Sequence, residues 1–161
     1  MKETMKKPND QASTKKANGN RHKSRELVLK AIYQHLLGAK PLSNIMKEMP
    51  EQEEYSKADE PYFKHLVHQV FEHFGELDER IAQFIDRDIQ ALSPIEHAIL
   101  LISAYELIYD ANIPYRVAIN EGVELAKQYG GTDGHKYVNG VLDKLAAQAR
   151  PQEVASARQK N

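Results

Sequence analysis

Residues 113–145 read IPYRVAINEGVELAKQYGGTDGHKYVNGVLDKL, and this stretch decides the fold. It divides into two helices joined by a Gly-rich turn. Pro114 sits where a first helical turn tolerates a residue without an N–H. Val117, Ala118, Gly122, Val123, Leu125, Ala126 and Tyr129 recur at helical spacing, and Gly130 is expected to supply a left-handed stop. Thr132 or Asp133 is placed to cap the next helix, whose inward face is Tyr137, Val138, Val141, Leu142 and Leu145. Gly122 and Gly140 fall inside these helices, where each costs roughly 1 kcal/mol relative to Ala, so close helix–helix approach is expected at both. Asn120 and Asn139 are also weak helix formers, expected to hydrogen-bond across the core or to a helix end.

Working outward, no period-2 apolar run appears and nearly every Pro and Gly falls at an element boundary, so the chain reads as all-α. Ser93-Pro94-Ile95-Glu96 is a capping box with Pro at the first helical position. The helix it starts, Ile95 to Tyr109, is apolar on almost every side, which suits the middle of a bundle. Upstream, a helix from about Lys23 to Leu37 turns Leu27, Val28, Ala31, Ile32 and Leu36 inward and stops at Gly38. Its basic first turn opposes the helix dipole, a mismatch that a docked phosphate would relieve. A short helix around Ser43 to Met49 and an acidic, solvated loop from Glu48 to Glu60 follow. Pro61 then opens a helix with Tyr62, Phe63, Leu66, Val67, Val70, Phe71 and Phe74 on one face, and a further helix carries Leu77, Ile81, Phe84, Ile85 and Ile89. The total is six or seven helices, with turns short enough for antiparallel neighbours.

Residues 1–20 are polar and Lys-rich and are expected to be disordered when alone; the segment 151–161 reads as a similar flexible tail. That leaves residues 21–150 as one domain, large enough for a single core. The chain has no cysteine, which excludes disulfides, thiolate metal sites and a Cys nucleophile, and suits a reducing cytoplasm. No apolar run approaches the roughly 18 residues a membrane span requires, and the N-terminus lacks the apolar region of a secretory signal. The net charge of −1 hides a polarity: residues 1–25 hold eight Lys or Arg against Glu3 and Asp10, a net +6, and the remainder carries −7. A basic arm on an acidic body points to an anionic partner, nucleic acid first.

Catalytic and metal chemistry find little support. His65 and His68 lie one turn apart with Glu72 four residues on, but no third strong ligand stands at a diagnostic spacing, so both read as solvated. The turn Gly130 to Lys136 has the glycines of a phosphate loop, yet no strand precedes it and Gly-Lys-Ser/Thr is missing. Its main-chain N–H groups and Lys136 could still hold a backbone phosphate of a longer ligand. No GxSxG elbow occurs. The chain reads as non-enzymatic, without cofactor or metal.

The segment PYRVAINEGVELAKQYG (114–130) followed by HKYVNGVLDK (135–144) resembles the C-terminal signature of the NusB family of bacterial transcription antitermination factors. IEHAILLISAYELIYD (95–110) resembles that family's central helix and RELVLKAIYQ (25–34) its first. The resemblance covers most of the chain from about Arg21 to Leu145. It implies two small packed helical bundles, binding of the boxA element of nascent ribosomal RNA together with NusE, a small-subunit ribosomal protein, and read-through of terminators by RNA polymerase. It also implies RNA contacts at Arg21, His22, Lys23 and Arg25, at Lys30 and Tyr33 along the first helix, and at Asp133, Lys136 and Tyr137, with Glu96 near the partner surface. Basic side chains would neutralise phosphates, and exposed rings would stack unpaired bases at roughly 1–3 kcal/mol each.

This chain departs from the family pattern in places. RHKSR at 21–25 puts His22 and Lys23 where arginine is usual, and Lys cannot make the bidentate contact of Arg. Lys30 replaces a typical Gln, Tyr137 a typical Phe and Gly134 a typical Ser, while His97 and Leu101 fall where arginines often occur. Two other readings compete: a helical adaptor or homodimer whose basic tail only solubilises it, and a stand-alone module related to ribosomal-RNA cytosine methyltransferases. The second fits poorly with a chain that lacks Cys and whose helical domain is expected to end near residue 150.

Overall fold

The computed structural model describes the backbone of residues 2–160 and the side chains of residues 20–159. The expected disordered arm therefore lies, Asn20 apart, outside the described side chains. Eight α-helices are present among the described residues, one or two more than expected: α1 (Lys2–Gly38), α2 (Leu42–Glu48), α3 (Glu60–Glu72), α4 (Phe74–Ala82), α5 (Pro94–Tyr109), α6 (Tyr115–Tyr129), α7 (Gly134–Ala149) and α8 (Pro151–Lys160). They divide into two compact units, Met1–Val67 and His68–Asn161.

In the first unit, α1 buries Leu27, Val28, Leu29, Ala31 and Ile32 almost completely. Its residues 21–25 lie inside a helix already under way rather than in a first turn, so the expected dipole mismatch does not arise. Gly38 is the last helical residue, and it is Ala39 that takes the left-handed conformation, at φ 52°, with its N–H donating to the His35 carbonyl at 2.7 Å. The acidic segment is not a plain loop. It forms two 3₁₀ turns, Met49–Glu51 and Glu53–Lys57, because Met49 is driven inside and Tyr55 sets its ring edge-on against Phe63, 6.0 Å between centroids. Asp59 caps α3: its carboxylate accepts from the Tyr62 N–H at 3.2 Å, and its carbonyl accepts from the Ser24 hydroxyl at 2.7 Å. That pair of bonds pins the basic stretch of α1 against the start of α3.

The second unit is built around α5, whose residues from His97 to Leu107 are all buried. The Ser93 hydroxyl accepts from the Glu96 N–H at 3.1 Å and Pro94 opens the helix, as the capping pattern requires. Helices α4, α6 and α7 pack around it. Gly122 is where α6 approaches α5 and α7: a Cβ there would overlap the Ser103 hydroxyl and press to 3.1 Å from Leu142. Gly140 is different. It is exposed, and a Cβ there would meet nothing within 4 Å, so the close approach expected at this position does not occur. Gly140→Ala should therefore stabilise the protein by about 0.5–1 kcal/mol through helix propensity alone, read as a rise in thermal midpoint. Asn120 and Asn139 likewise face outward rather than across the core, lining an open cleft with Tyr115, Arg116 and Asp143.

Three helix ends also depart from expectation. Gly130 is extended rather than left-handed, at φ −88°; glycine is needed there because a Cβ would come within 2.7 Å of the Ala126 carbonyl oxygen. Neither Thr132 nor Asp133 caps α7 with its side chain, although Asp133 holds the cap position. Helix α4 stops at Ala82, leaving Phe84, Ile85 and Ile89 half-buried beyond it. The expected C-terminal tail is helix α8, fastened by one apolar side chain, Val154, and by polar groups. The Arg150 guanidinium donates to the carbonyls of Leu107 (2.7 Å), Glu106 (3.0 Å), Asp110 (2.9 Å) and Ile113 (2.9 Å) and to the Glu153 carboxylate at 2.6 Å. Glu153 in turn accepts from the Tyr115 N–H at the start of α6, at 2.9 Å.

Candidate nucleic-acid interface

The residues expected to touch RNA lie in both units, and each unit is built in its own way. In the first, Arg21 lays its guanidinium over the Tyr62 ring, 4.2 Å from the centroid, with Nε 3.9 Å from Asp59. Its side chain keeps 40% of its surface exposed, so stacking orders it without hiding it. His22 is half-buried beside it. Lys23 reaches Glu26 at 3.2 Å while 37% of its side chain stays exposed. Arg25 departs from expectation: it is buried, with its guanidinium 3.5 Å from the Tyr62 hydroxyl. It serves as a packing partner of Tyr62 and has little surface left for a phosphate.

Lys30 is also committed, since its ammonium donates to both carboxylate oxygens of Glu54 at 2.8 Å. Burial alone would raise the Glu54 pKa, but the hydrogen bond and charge of Lys30 outweigh it and hold the carboxyl below its usual range. An anion competing for Lys30 must displace that carboxylate. Tyr33 is half-buried on the same helix. The Gln-to-Lys departure at position 30 thus finds its structural reason in an acidic partner from the 3₁₀ segment, a pairing that no local sequence rule reveals.

In the second unit the start of α7 presents Asp133 and Lys136, their side chains 77% and 75% exposed and 3.7 Å apart. A pair so open to water is worth little and leaves the ammonium accessible to an anion. Tyr137 is half-buried and turned neither into the core nor freely outward. Its hydroxyl donates to Asp86 at 3.2 Å, and the Arg87 guanidinium lies over its ring, 4.6 Å from the centroid. Glu96 joins this neighbourhood, for its carboxylate lies against Gly134 at the N-terminus of α7, 3.0 Å from where a Cβ would stand. A negative charge there complements the helix dipole's positive end, alongside Asp133, whose side chain makes no capping hydrogen bond. The expected Ser is replaced by Gly134 where space for that carboxylate is short.

Asp86 and Arg87 escaped the sequence reading because they sit in an irregular turn far from α7 in the chain. The signal that could have found them is the adjacent opposite charge after Phe84 and Ile85, two half-buried apolar residues. His97 does not substitute for an arginine at the surface; it is buried, 2.7 Å from Asp78. His65 and His68 are exposed, and among the described residues no cluster of three His, Asp or Glu side chains is arranged to hold a metal ion. No described helix is long and apolar enough to cross a membrane.

The described residues define the class as an all-helical protein, with basic and aromatic side chains in the middle of α1 and, in the other unit, at the start of α7. A family model described as the NusB family matches residues 22–147. The transcription antitermination protein NusB of Methylobacillus flagellatus is 60% identical over 143 residues, 89% of this chain and 93% of that protein. That of Thiobacillus denitrificans is 48% identical, covering 89% and 99%. Among solved structures, T. maritima NusB superposes with a TM-score of 0.72 at 27% identity, over 84% of this chain and 96% of that one. A complex of the antitermination factors NusB and NusE with double-stranded RNA contains a chain of the same fold, TM-score 0.70 at 24% identity, over 80% and 97%. This chain belongs to the NusB family, a family of transcription antitermination proteins and not of enzymes.

Proposed function

We propose that this protein is a cytoplasmic transcription antitermination factor that binds the single-stranded boxA element of nascent ribosomal RNA, together with NusE, and so helps RNA polymerase read through terminators. The observation that carries the reading is the opening of α7, where the exposed ammonium of Lys136 stands next in the chain to Tyr137, whose half-buried ring carries the Arg87 guanidinium over its face. That arrangement suits single strands: the Lys136 charge meets a phosphate, and the guanidinium layered on the ring offers a sequence-tolerant stacking plane. Arg21 and Lys23, exposed and pre-ordered on α1, supply further phosphate contacts. The solved NusB–NusE–RNA complex of the same fold supports the choice of partner. Glu96, beside Gly134, belongs to the edge at which NusE would dock.

Titration of a fluorescein-labelled single-stranded boxA RNA, with and without NusE, tests the proposal. Binding should tighten with NusE, and the log–log salt slope should be about −2 to −3, from three or four neutralised phosphates. Arg21→Ala combined with Lys23→Ala should weaken binding roughly ten-fold or more and flatten that slope. Affinity unchanged in the double variant would remove α1 from the interface.

A further inference from the structure

Asp86, Arg87 and Tyr137 form one assembly. A single carboxylate oxygen, Asp86 Oδ1, accepts from Arg87 Nε at 2.7 Å and from the Tyr137 hydroxyl at 3.2 Å. The shared acceptor fixes the guanidinium over the aromatic ring, 4.6 Å from its centroid. Arg87 and Asp86 remain open to solvent, 43% and 70% exposed, so the guanidinium is the outer layer of the stack and the ring the inner one. The Arg87 charge and hydrogen bond keep Asp86 ionised, holding its carboxyl below the usual carboxylate range. An ion pair this exposed contributes little to stability, which leaves the ordered side chain itself as the feature to be explained.

Resting on the RNA-binding reading above, we propose that Arg87 is a nucleotide-contacting residue: its guanidinium plane, laid on Tyr137 by Asp86, receives an unpaired RNA base, with its remaining N–H groups directed at the flanking phosphate. Guanidinium planes stack on bases as aromatic rings do, and an arginine already held over a ring loses less freedom on binding than a loose one. The site takes any base, because every base has a π-face, and it favours single strands, whose bases are free to leave the helical stack.

The test uses the full chain and a boxA RNA in which the base at each position in turn is 2-aminopurine, whose fluorescence reports stacking. Arg87→Ala should weaken binding roughly five- to twenty-fold and abolish the quenching at one position, with an unchanged thermal midpoint. Arg87→Lys keeps the charge but not the plane; it should preserve the salt slope yet recover little of the lost affinity or quenching. Wild-type affinity in Arg87→Ala, tighter binding because an uncovered Tyr137 works better, or full rescue by Arg87→Lys would each overturn the stacking role. Failure of the wild-type protein itself to bind would overturn the RNA reading and this inference with it, and so is distinguishable from the other outcomes.

Discussion

Arg150→Ala should destabilise the protein by about 3 kcal/mol or more, lowering its thermal midpoint by roughly 6–12 °C for a chain of this size. The arginine fork holds the carbonyls at the end of α5 and in the turn to α6, four in all, within 3.0 Å. Two of them, Glu106 and Leu107, lie in the last turn of α5 and two, Asp110 and Ile113, in the turn that follows, so one planar, charged donor ties the helix end to the turn. The side chain is only 12% exposed, so the bonds are made in poor competition from solvent. Arg150→Lys should recover little, because one ammonium cannot reach four carbonyls and Glu153 together. A midpoint within 2 °C of wild type in Arg150→Ala would show that the tail and the end of α5 are independent.

The same cluster carries a pH signature. Glu153 is held below its usual value of 4.5 chiefly by the Tyr115 N–H, then by Arg150, against the opposing effect of burial. A depressed folded-state pKa means stability that is present above about 4.5 and is lost as pH falls through the lower folded value. The stability gap between wild type and Glu153→Gln should therefore be widest at neutral pH and shrink as pH falls below the ordinary glutamate range, measured by denaturant unfolding at a series of pH values.

Gly122→Ala is the second large effect, a loss of about 1–3 kcal/mol despite the gain in helix propensity, because the new methyl overlaps the buried Ser103 hydroxyl and crowds Leu142. Ser103→Ala removes the nearest obstacle. The double variant should regain most of the lost stability, a coupling of roughly 1 kcal/mol or more in a double-mutant cycle. Additive effects would locate the strain at Leu142 instead.

Much of this protein was legible because its helices bury their apolar stripes in the ordinary way. The periodicities of α5, α6 and α7 and the Ser93 cap follow from contacts within a turn or two of chain, where residue type and spacing carry the physics. The misreadings share one cause. Gly140 and Gly122 have the same local cost, and only the presence or absence of a neighbouring helix separates close packing from an open surface. Arg25 and Arg21 stand one turn apart in a single basic run and both meet Tyr62, yet Arg25 is buried while Arg21 keeps 40% of its side-chain surface exposed. The segment after Pro151 has too little apolar content to announce a helix, and is held by Arg150 reaching acceptors some forty residues away.

The all-helical class, the family and the order of the main helices were legible along the chain, because hydrophobic period is a property of neighbours, whereas α8 and three helix ends were not. Tertiary structure alone decided which charges are spent. Lys30 is consumed by Glu54, Arg25 by Tyr62 and Arg150 by the end of α5, whereas Lys136 and Arg87 stay open to solvent. Electrostatic partners are chosen by distance in space, and a list of residues fixes charge without fixing distance.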